Sequence, residues 1–172
     1  MSSSHRTIVV MRHAKAEQDG PSDFERELAP RGVADAAAAG DWLAGAGVRP
    51  DCALVSGASR ARQTWAALAE RAGWDLEPTL DRGLYAADPD TALDVLRGLD
   101  EACGSAIVVG HNPTMASLAQ LLEDGDGDED AANEMAIGTF PTSATAVLTF
   151  SGAWVDLGPG MARLAAYHVG RG

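Results

Sequence analysis

The sequence predicts an α/β fold with a single domain, in which helices flank both faces of a mainly parallel central sheet. Short apolar runs, the first of them rich in β-branched residues, alternate along the chain with longer segments whose apolar residues recur at helical spacing. Such alternation is typical of parallel strands that are connected by helices. A length of 172 residues suits one domain with a substantial core, and 46% hydrophobic residues argue against a disordered chain.

The order of the elements follows from these apolar patterns and from the residues that interrupt them. Ser59 and Gly73 bracket one helical segment as its expected N-cap and its stop, and Pro113 suits the first turn of another. Glycines between the last two strands suit a hairpin. The expected strands are 7–11, 52–56, 105–110, 145–150 and 162–168, and the expected helices are 30–47, 59–73, 90–100 and 113–123.

The chain carries a net charge of −12 and a single lysine, Lys15. A surface of that sign repels nucleic acid backbones and anionic membranes, so we expect neither as a partner. The run "DGDGDED" at 124–130 alternates Asp and Gly as a calcium loop does, but the glutamate that closes an EF-hand loop does not follow cleanly. It is predicted to be a solvated acidic loop. An anionic substrate would require the few cations of this chain to be gathered in one place.

Location and cysteine usage are the other bulk properties. No apolar run is long enough to span a bilayer, and the start "MSSSHRT" has no apolar segment behind a basic one, so we expect a cytoplasmic protein without a signal peptide. Residues 1–6 are predicted to form a flexible N-terminus. Cys52 and Cys103 have no CxxC partner, and both are expected to be buried free thiols.

Polar side chains follow three of the predicted strands. The first strand ends in Arg12 and His13, Arg60 lies in the helix start just after the second, and His111 follows the third. Because ligands of open α/β sheets bind outside the carboxyl ends of the strands, these side chains are expected to converge at one edge. Each residue alone would be unremarkable as a structural side chain, as we expect of His5 and His168 near the termini. The convergence predicts a site.

The residue types at this edge suit phosphoryl transfer. A neutral imidazole can attack phosphorus and hold the phosphoryl group covalently. Arginine offers a planar, permanently charged fork that fits two phosphoryl oxygens, and a second, protonated histidine can donate a further hydrogen bond. The two histidines lack the carboxylates or thiolates that would complete a metal site, so neither a metal nor another cofactor is expected.

Three segments carry a resemblance to a known family. "MRHAKAE", "SGASRARQT" and "VVGHNPTM" are similar to the signature segments of the histidine phosphatase superfamily, in particular its SixA-type phosphohistidine phosphatase branch. "SDFERELAPRG" at 22–32 resembles the stretch after the first motif, so the likeness spans roughly residues 7–150. The resemblance implies a phosphoglycerate-mutase-like fold and one histidine phosphatase domain over residues 1–172.

The same resemblance implies a role for each residue of the predicted site. His13 would be the nucleophile that becomes phosphorylated. Arg12 and Arg60 would bind the phosphoryl group, and His111 would complete the pocket as a further catalytic and substrate-binding residue. Arg62 matches a position where the branch tolerates other residues, so it is left out of the site.

The sequence departs from the mutase-like members of the superfamily in the region of the general acid. Those members carry a glutamate in an insertion after the second helix, whereas "DRGLYAADPD" at 81–90 is short and has no glutamate. Asp81, Asp23 and Asp88 are possible substitutes, and the acid stays unassigned.

The predicted function is a metal-independent phosphatase that acts, through phospho-His13, on the phosphohistidine of a phosphorylated protein. A small-molecule phosphomonoesterase of the same superfamily is the alternative among enzymes, and it would need an acid for its alkoxide leaving group. A mutase fits less well because the chain has little spare length for a lid. From another class, a non-catalytic module that binds a phosphorylated ligand would have no need of a nucleophile. The oligomeric state is left open.

Overall fold

A six-stranded sheet organises the chain, and the computed structural model describes residues 5–172. The strands are β1 (His5–Arg12), β2 (Cys52–Ser56), β3 (Thr79–Asp81), β4 (Ser105–Gly110), β5 (Ala144–Ser151) and β6 (Arg163–Val169). The helices are α1 (Pro30–Gly45), α2 (Ser59–Ala72), α3 (Pro89–Arg97), α4 (Thr114–Leu122) and α5 (Glu129–Gly138), with short 3-10 helices at Arg82–Leu84 and Trp154–Asp156. Every strand and helix expected from the sequence is present, most with bounds shifted by one to three residues.

The strand order is β3-β2-β4-β1-β5-β6. The pairs β3–β2, β2–β4 and β4–β1 are parallel, whereas β1–β5 and β5–β6 are antiparallel. The expected mainly parallel sheet is therefore confirmed. Because β1, β4 and β2 are parallel neighbours, with Arg12 opposite Gly110 in the register, their carboxyl ends meet at one edge of the sheet. That edge carries the side chains that the sequence analysis expected to converge.

Apolar side chains of β1 alternate between two cores. Ile8 and Val10 pack with α3, α4 and α5 on one face, and Val9 and Met11 pack with α1 and α2 on the other. All four residues are fully buried. The period of two along the strand, together with helices on both sides, gives the covered sheet that the fold class predicts.

Two elements, β3 and α5, were not expected. The acidic run assigned to a loop contains the start of α5, where the Asp128 side chain accepts a hydrogen bond from Ala131 N and Glu129 and Asp130 occupy the first turn. Carboxylates there stabilise a helix through its dipole, so the charge that suggested a loop favours a helix start instead. The β3 strand has only three residues and exists through its pairing with β2.

The start of α2 also corrects an expectation. Ala58 is the N-cap and makes no side-chain hydrogen bond, whereas Ser59 is the first helical residue. The Ser59 backbone N–H donates to Phe24 O at 3.0 Å, so a neighbouring loop satisfies this helix end in place of a capping side chain.

The cysteine prediction is wrong, because Cys52 and Cys103 form a disulfide with their Cα atoms 6.2 Å apart. Cys52 opens β2, and Cys103 lies two residues before the parallel neighbour β4. Pairing of the two strands brings residues 51 positions apart into the distance range that a disulfide needs. Nothing in the spacing of the two cysteines encodes that neighbourhood.

The flexible N-terminus expected for 1–6 is wrong at His5 and Arg6, which begin β1, and Arg6 is buried. The remainder of that prediction, residues 1–4, lies outside the described part of the chain. Between residues 5 and 172, no helix is long and apolar enough to cross a membrane.

Candidate active site

His13 lies immediately after β1 and is 7% exposed. Its Nδ1 atom is 2.7 Å from the carbonyl oxygen of Ala14. A carbonyl oxygen only accepts, so Nδ1 carries the proton in this contact and the lone pair of the neutral ring is on Nε2. Helix α2 fixes the backbone that follows His13. Ala14 N donates to Thr64 Oγ1 at 3.0 Å, and the Thr64 hydroxyl donates to Arg60 O at 2.7 Å.

The pKa of His13 is lowered to about 3, chiefly by burial and also by the nearby His111, Arg60 and Arg12, while the hydrogen bond to Ala14 acts in the opposite direction. A positive imidazolium would lose hydration there and would face like charges. His13 is therefore neutral at pH 7, which is the protonation state that a nucleophile requires.

His111 directly follows β4, and its ring centroid is 5.1 Å from that of His13. Its Nε2 atom lies 2.7 Å from Ser56 Oγ, whereas its buried Nδ1 atom has no partner among residues 5–172. If Nδ1 of His111 carries the proton, the Ser56 hydroxyl can donate to Nε2, and only the Nδ1–H group is left unpaired. If Nε2 carries the proton, Nε2 donates to the Ser56 oxygen, and both the hydroxyl hydrogen of Ser56 and the lone pair of Nδ1 are left unpaired. The first arrangement is favoured and leaves a free N–H donor beside His13.

The charge state of His111 differs from the expectation of a protonated second histidine. Burial, and then the positive charge of Arg60, lowers the pKa of His111 to about 4. In the free protein at pH 7 this ring is thus a neutral donor. A bound phosphoryl dianion would raise the pKa again by opposing both effects.

Arg60 lies in the first turn of α2 and is 6% exposed. Its Nη1 donates to the backbone oxygen of Asp23 at 2.6 Å and its Nη2 to Asp23 Oδ2 at 3.2 Å. Its Nε is buried and has no acceptor in the described chain. Arg12, the last residue of β1, also has a buried Nε without an acceptor there, and burial lowers its pKa.

The structure therefore brings together the four residues that the sequence predicts for the site: Arg12, His13, Arg60 and His111. Three of them hold a buried N–H donor that has no acceptor in the described part of the chain. Buried donors are almost always paired in native proteins, because an unpaired one costs about 1–3 kcal/mol. Two cations and one neutral donor, each with a free N–H, are suited chemically to an anion with several oxygens.

The side chains left out of the predicted site make other contacts. Arg62 is exposed and donates to Ser59 Oγ at 3.4 Å. His168 stacks on Trp42 with ring centroids 4.8 Å apart, and His5 lies 3.5 Å from Ser151 Oγ. These contacts give the structural roles expected for both histidines.

The three candidates for the general acid are all engaged as acceptors. Asp81 accepts from Gly83 N at 2.7 Å at the start of a 3-10 helix, and Asp88 caps α3 by accepting from Thr91 N at 2.8 Å, which lowers its pKa. Asp23 accepts from Tyr85 Oη and from Arg60, and these bonds hold its pKa at about 2. At neutral pH Asp23 and Asp88 are carboxylates with no proton to donate.

Comparisons with known proteins place the whole chain in a family. The sequence profile of the histidine phosphatase superfamily (branch 1) matches residues 8–88. Uncharacterized protein Rv1276c of Mycobacterium tuberculosis is 41% identical over 162 residues, which cover 94% of this chain and 100% of that protein. The structure assigned as phosphohistidine phosphatase SixA from Nakamurella multipartitia is 33% identical, covers 96% of both chains and has a TM-score of 0.85.

The chain belongs to the histidine phosphatase superfamily. A second structure assigned as SixA, from Agrobacterium tumefaciens, is 31% identical with a TM-score of 0.74 over 95% of this chain and 97% of that one. These similarities confirm the SixA-like resemblance and the phosphoglycerate-mutase-like fold, and they support phosphatase as the activity class.

Three further residues of this histidine phosphatase site were not assigned a role from the sequence. Ser56 ends β2, so its position at the sheet edge was visible, but its contact with His111 depends on the pairing of β2 with β4. Asp23 was considered only as an acid, although it is the residue that holds Arg60. Tyr85 gave no signal, because it follows a 3-10 helix in a short irregular segment.

Proposed function

We propose that this histidine phosphatase removes the phosphoryl group from the phosphohistidine of a phosphorylated protein, without a metal, through a covalent intermediate on His13. The observation that carries the proposal is a neutral His13 with a free Nε2, set beside three buried N–H donors that have no acceptor between residues 5 and 172. A nucleophile and a multidentate anion site in one place are what phosphoryl transfer requires.

The reaction follows from these groups. His13 Nε2 attacks phosphorus, and its new P–N bond forms as the P–N bond of the substrate breaks. The departing imidazole leaves with the bonding electron pair and takes up a proton from solvent. Arg12, Arg60 and the Nδ1–H of His111 stabilise the charge on the equatorial oxygens. Water then attacks phospho-His13, which releases inorganic phosphate and restores the neutral imidazole.

The state of the nearby carboxyl groups supports phosphohistidine over an ordinary phosphate ester. Asp23 is ionised at neutral pH, so it cannot protonate a departing alkoxide. An imidazole leaving group is protonated easily and needs less help from a protein acid. The SixA assignments of the Nakamurella and Agrobacterium structures favour the same substrate class.

Surface charge supports a partner that is neutral or basic around its phosphorylated residue. The net charge is −12, and Glu17, Glu25 and Glu27 line a cavity that also touches Ser59 beside Arg60. An acidic surface repels an acidic partner and attracts a basic one, most strongly at low salt.

The cytoplasmic location stays a prediction. The Cys52–Cys103 disulfide is of a kind more usual in oxidising compartments.

The test compares kcat/KM for a phosphohistidine peptide, p-nitrophenyl phosphate and a sugar phosphate at equal ionic strength. We expect the peptide to be preferred by at least about tenfold, in line with its easier leaving group. Rapid quench should trap a phosphoprotein that is labile to acid and stable to base, and the His13→Ala variant should give none. An ester preferred by tenfold would establish the phosphomonoesterase alternative, and tight phosphate binding without a phosphoprotein would establish the binding module.

A further inference from the structure

We propose that Asp23 and Tyr85 form a positioning pair for Arg60, in which Tyr85 orients the Asp23 carboxylate and Asp23 orients the guanidinium. The inference rests on the proposed function, because the orientation matters for the oxygens of a transferring phosphoryl group. Neither residue is proposed to touch the substrate.

Asp23 holds Arg60 at two points. The backbone oxygen accepts from Nη1 at 2.6 Å and the carboxylate accepts from Nη2 at 3.2 Å, so the plane of the guanidinium is fixed. The remaining nitrogen, Nε, is buried and has no acceptor among residues 5–172. An arginine that is held by both Nη atoms presents its third nitrogen in one direction, which is how an enzyme keeps a donor in place before the substrate arrives.

The Asp23 carboxylate is itself held by other side chains. Oδ1 accepts from Arg26 Nε at 3.0 Å, and Oδ2 accepts from the hydroxyl of Tyr85 as well as from Arg60. Asp23 is 57% exposed, so without these donors its carboxylate would be free to rotate toward water. The Tyr85 hydroxyl shares an oxygen with Arg60 and therefore selects the rotamer that reaches Arg60.

Tyr85 is in turn fixed by packing against the site. Its ring lies edge to face with Phe24, at 4.9 Å between centroids, and with His111, at 5.5 Å. The Arg60 Cζ atom is 5.9 Å from the ring centroid. Tyr85 thus contacts the loop that carries Asp23, the arginine that Asp23 holds and the second histidine, so its hydroxyl has a defined position.

The pair predicts a distinctive kinetic signature for Asp23→Asn. The variant loses a negative charge beside the anion site, so inorganic phosphate should bind about threefold tighter. It also loosens Arg60, so kcat should fall about tenfold. A loop that was merely disordered by the substitution would weaken phosphate binding and turnover together. The matched control is Asp19→Asn, which removes the same charge from an exposed position of the same loop and should change both quantities less than twofold.

Two further variants test whether Tyr85 and Asp23 act through Arg60. Tyr85→Phe keeps the ring and the Asp23 charge but removes the hydroxyl, so kcat should fall several-fold without any tightening of phosphate. In an Arg60→Lys background, Asp23→Asn should lower kcat less than twofold, because the residue through which it acts is gone. Equal loss of kcat in both backgrounds, or an unchanged kcat in the Asp23→Asn variant, would overturn the pair.

Calorimetric binding of inorganic phosphate keeps this inference separate from the proposed function. If the wild-type protein binds phosphate but turns over no substrate, the proposed function fails. The phosphate dissociation constants of Asp23→Asn and Asp19→Asn then still test whether the Asp23 charge acts on the anion site through its contact with Arg60, which the pair requires. No selective tightening in Asp23→Asn would reject the inference on its own.

Discussion

Two buried arginines lie at opposite edges of the sheet and differ in how they are satisfied. Arg6, near the amino end of β1, is 3% exposed, and all three of its nitrogens have acceptors: Gly152 O, Glu101 O, Cys103 O and the Glu101 carboxylate. Its guanidinium also lies 5.2 Å from the ring centroid of Trp154. Arg60, at the carboxyl edge, is 6% exposed, and its Nε has no acceptor in the part of the chain that the structure describes.

The difference separates an arginine whose donors are satisfied within the fold from one whose free Nε–H suits the ligand-binding role proposed for Arg60. At the amino edge, the polar groups are paired within the protein: Arg6 has its acceptors, and Trp154 Nε1 donates to Cys103 O at 2.7 Å. The disulfide cross-links the chain at the same edge. At the carboxyl edge, the unpartnered donors leave the folded protein less stable than a fully paired one would be. Changes at the amino edge should therefore affect stability and changes at the carboxyl edge should affect activity.

The largest effect is expected for His13→Ala. Loss of the proposed nucleophile would remove the covalent step, so kcat should fall at least about a thousandfold. The thermal midpoint should move by no more than about 3 °C, because the side chain lies at the end of a strand outside the two large cores. The measurements are turnover and circular dichroism, with His5→Ala as the matched control that keeps full activity. Activity within tenfold of wild type and an unchanged spectrum would remove His13 from the nucleophile's role.

At the amino edge, the Cys52→Ser, Cys103→Ser double variant should lose stability without losing activity. A disulfide that closes a loop of this size contributes about 2–4 kcal/mol to the free energy of unfolding. Urea denaturation should show that loss, while kcat/KM stays within twofold of wild type.

Reductant provides the control for the disulfide. Dithiothreitol should destabilise the wild-type protein by a similar amount and leave the double variant unchanged. A wild-type protein indifferent to reductant, or a double variant with impaired turnover, would contradict the division between the two edges.

The same contrast shows what sequence alone could predict. Arg12, His13, Arg60 and His111 all follow or flank strands whose apolar character is local, so their convergence could be predicted once the sheet was expected to be parallel. The disulfide could not be predicted, because it depends on the pairing of β2 with β4 and not on any spacing. The neutral state of His111 was missed for a related reason, since burial is a property of the packed site.

Arg60→Lys tests whether the geometry of the cation matters beyond its charge. Lysine keeps the charge but loses the fork that holds Asp23 and presents Nε at the same time. A charge-assisted hydrogen bond is worth about 1.5–3 kcal/mol, so kcat/KM should fall about ten- to a hundredfold. Arg62→Lys, two residues away on the exposed face of α2, should have no effect. Full activity in Arg60→Lys would mean that the residue supplies only a positive field.

The pKa of His13 can be tested directly by following its ring resonances by NMR as the pH is lowered. Since the folded-state pKa is lowered to about 3, the ring should stay neutral between pH 7 and pH 5. The same resonances in urea-unfolded protein should titrate near the ordinary value of about 6.5.

The consequence for stability has a definite sign. Between pH 6.5 and about 3 the unfolded chain binds more protons than the folded one, so the free energy of unfolding should decrease as the pH falls through this range. Half-protonation of His13 above pH 5 in the folded protein would show that burial and the neighbouring cations act more weakly than the geometry indicates.

The smallest effect is expected from metal removal. Among residues 5–172, no three His, Cys, Asp or Glu side chains are grouped so that they could hold a metal ion. Arg12 and Arg60 already place positive charge at the anion site, and they would repel a divalent cation there. In the proposed mechanism, these arginines would provide the charge neutralisation that a metal ion otherwise contributes to phosphoryl transfer. Turnover in excess EDTA should therefore stay within twofold of the untreated protein, and adding Mg²⁺ or Zn²⁺ should not raise it. An enzyme that EDTA inactivates and a divalent ion restores would show that the free donors of Arg12, Arg60 and His111 are not sufficient for the chemistry.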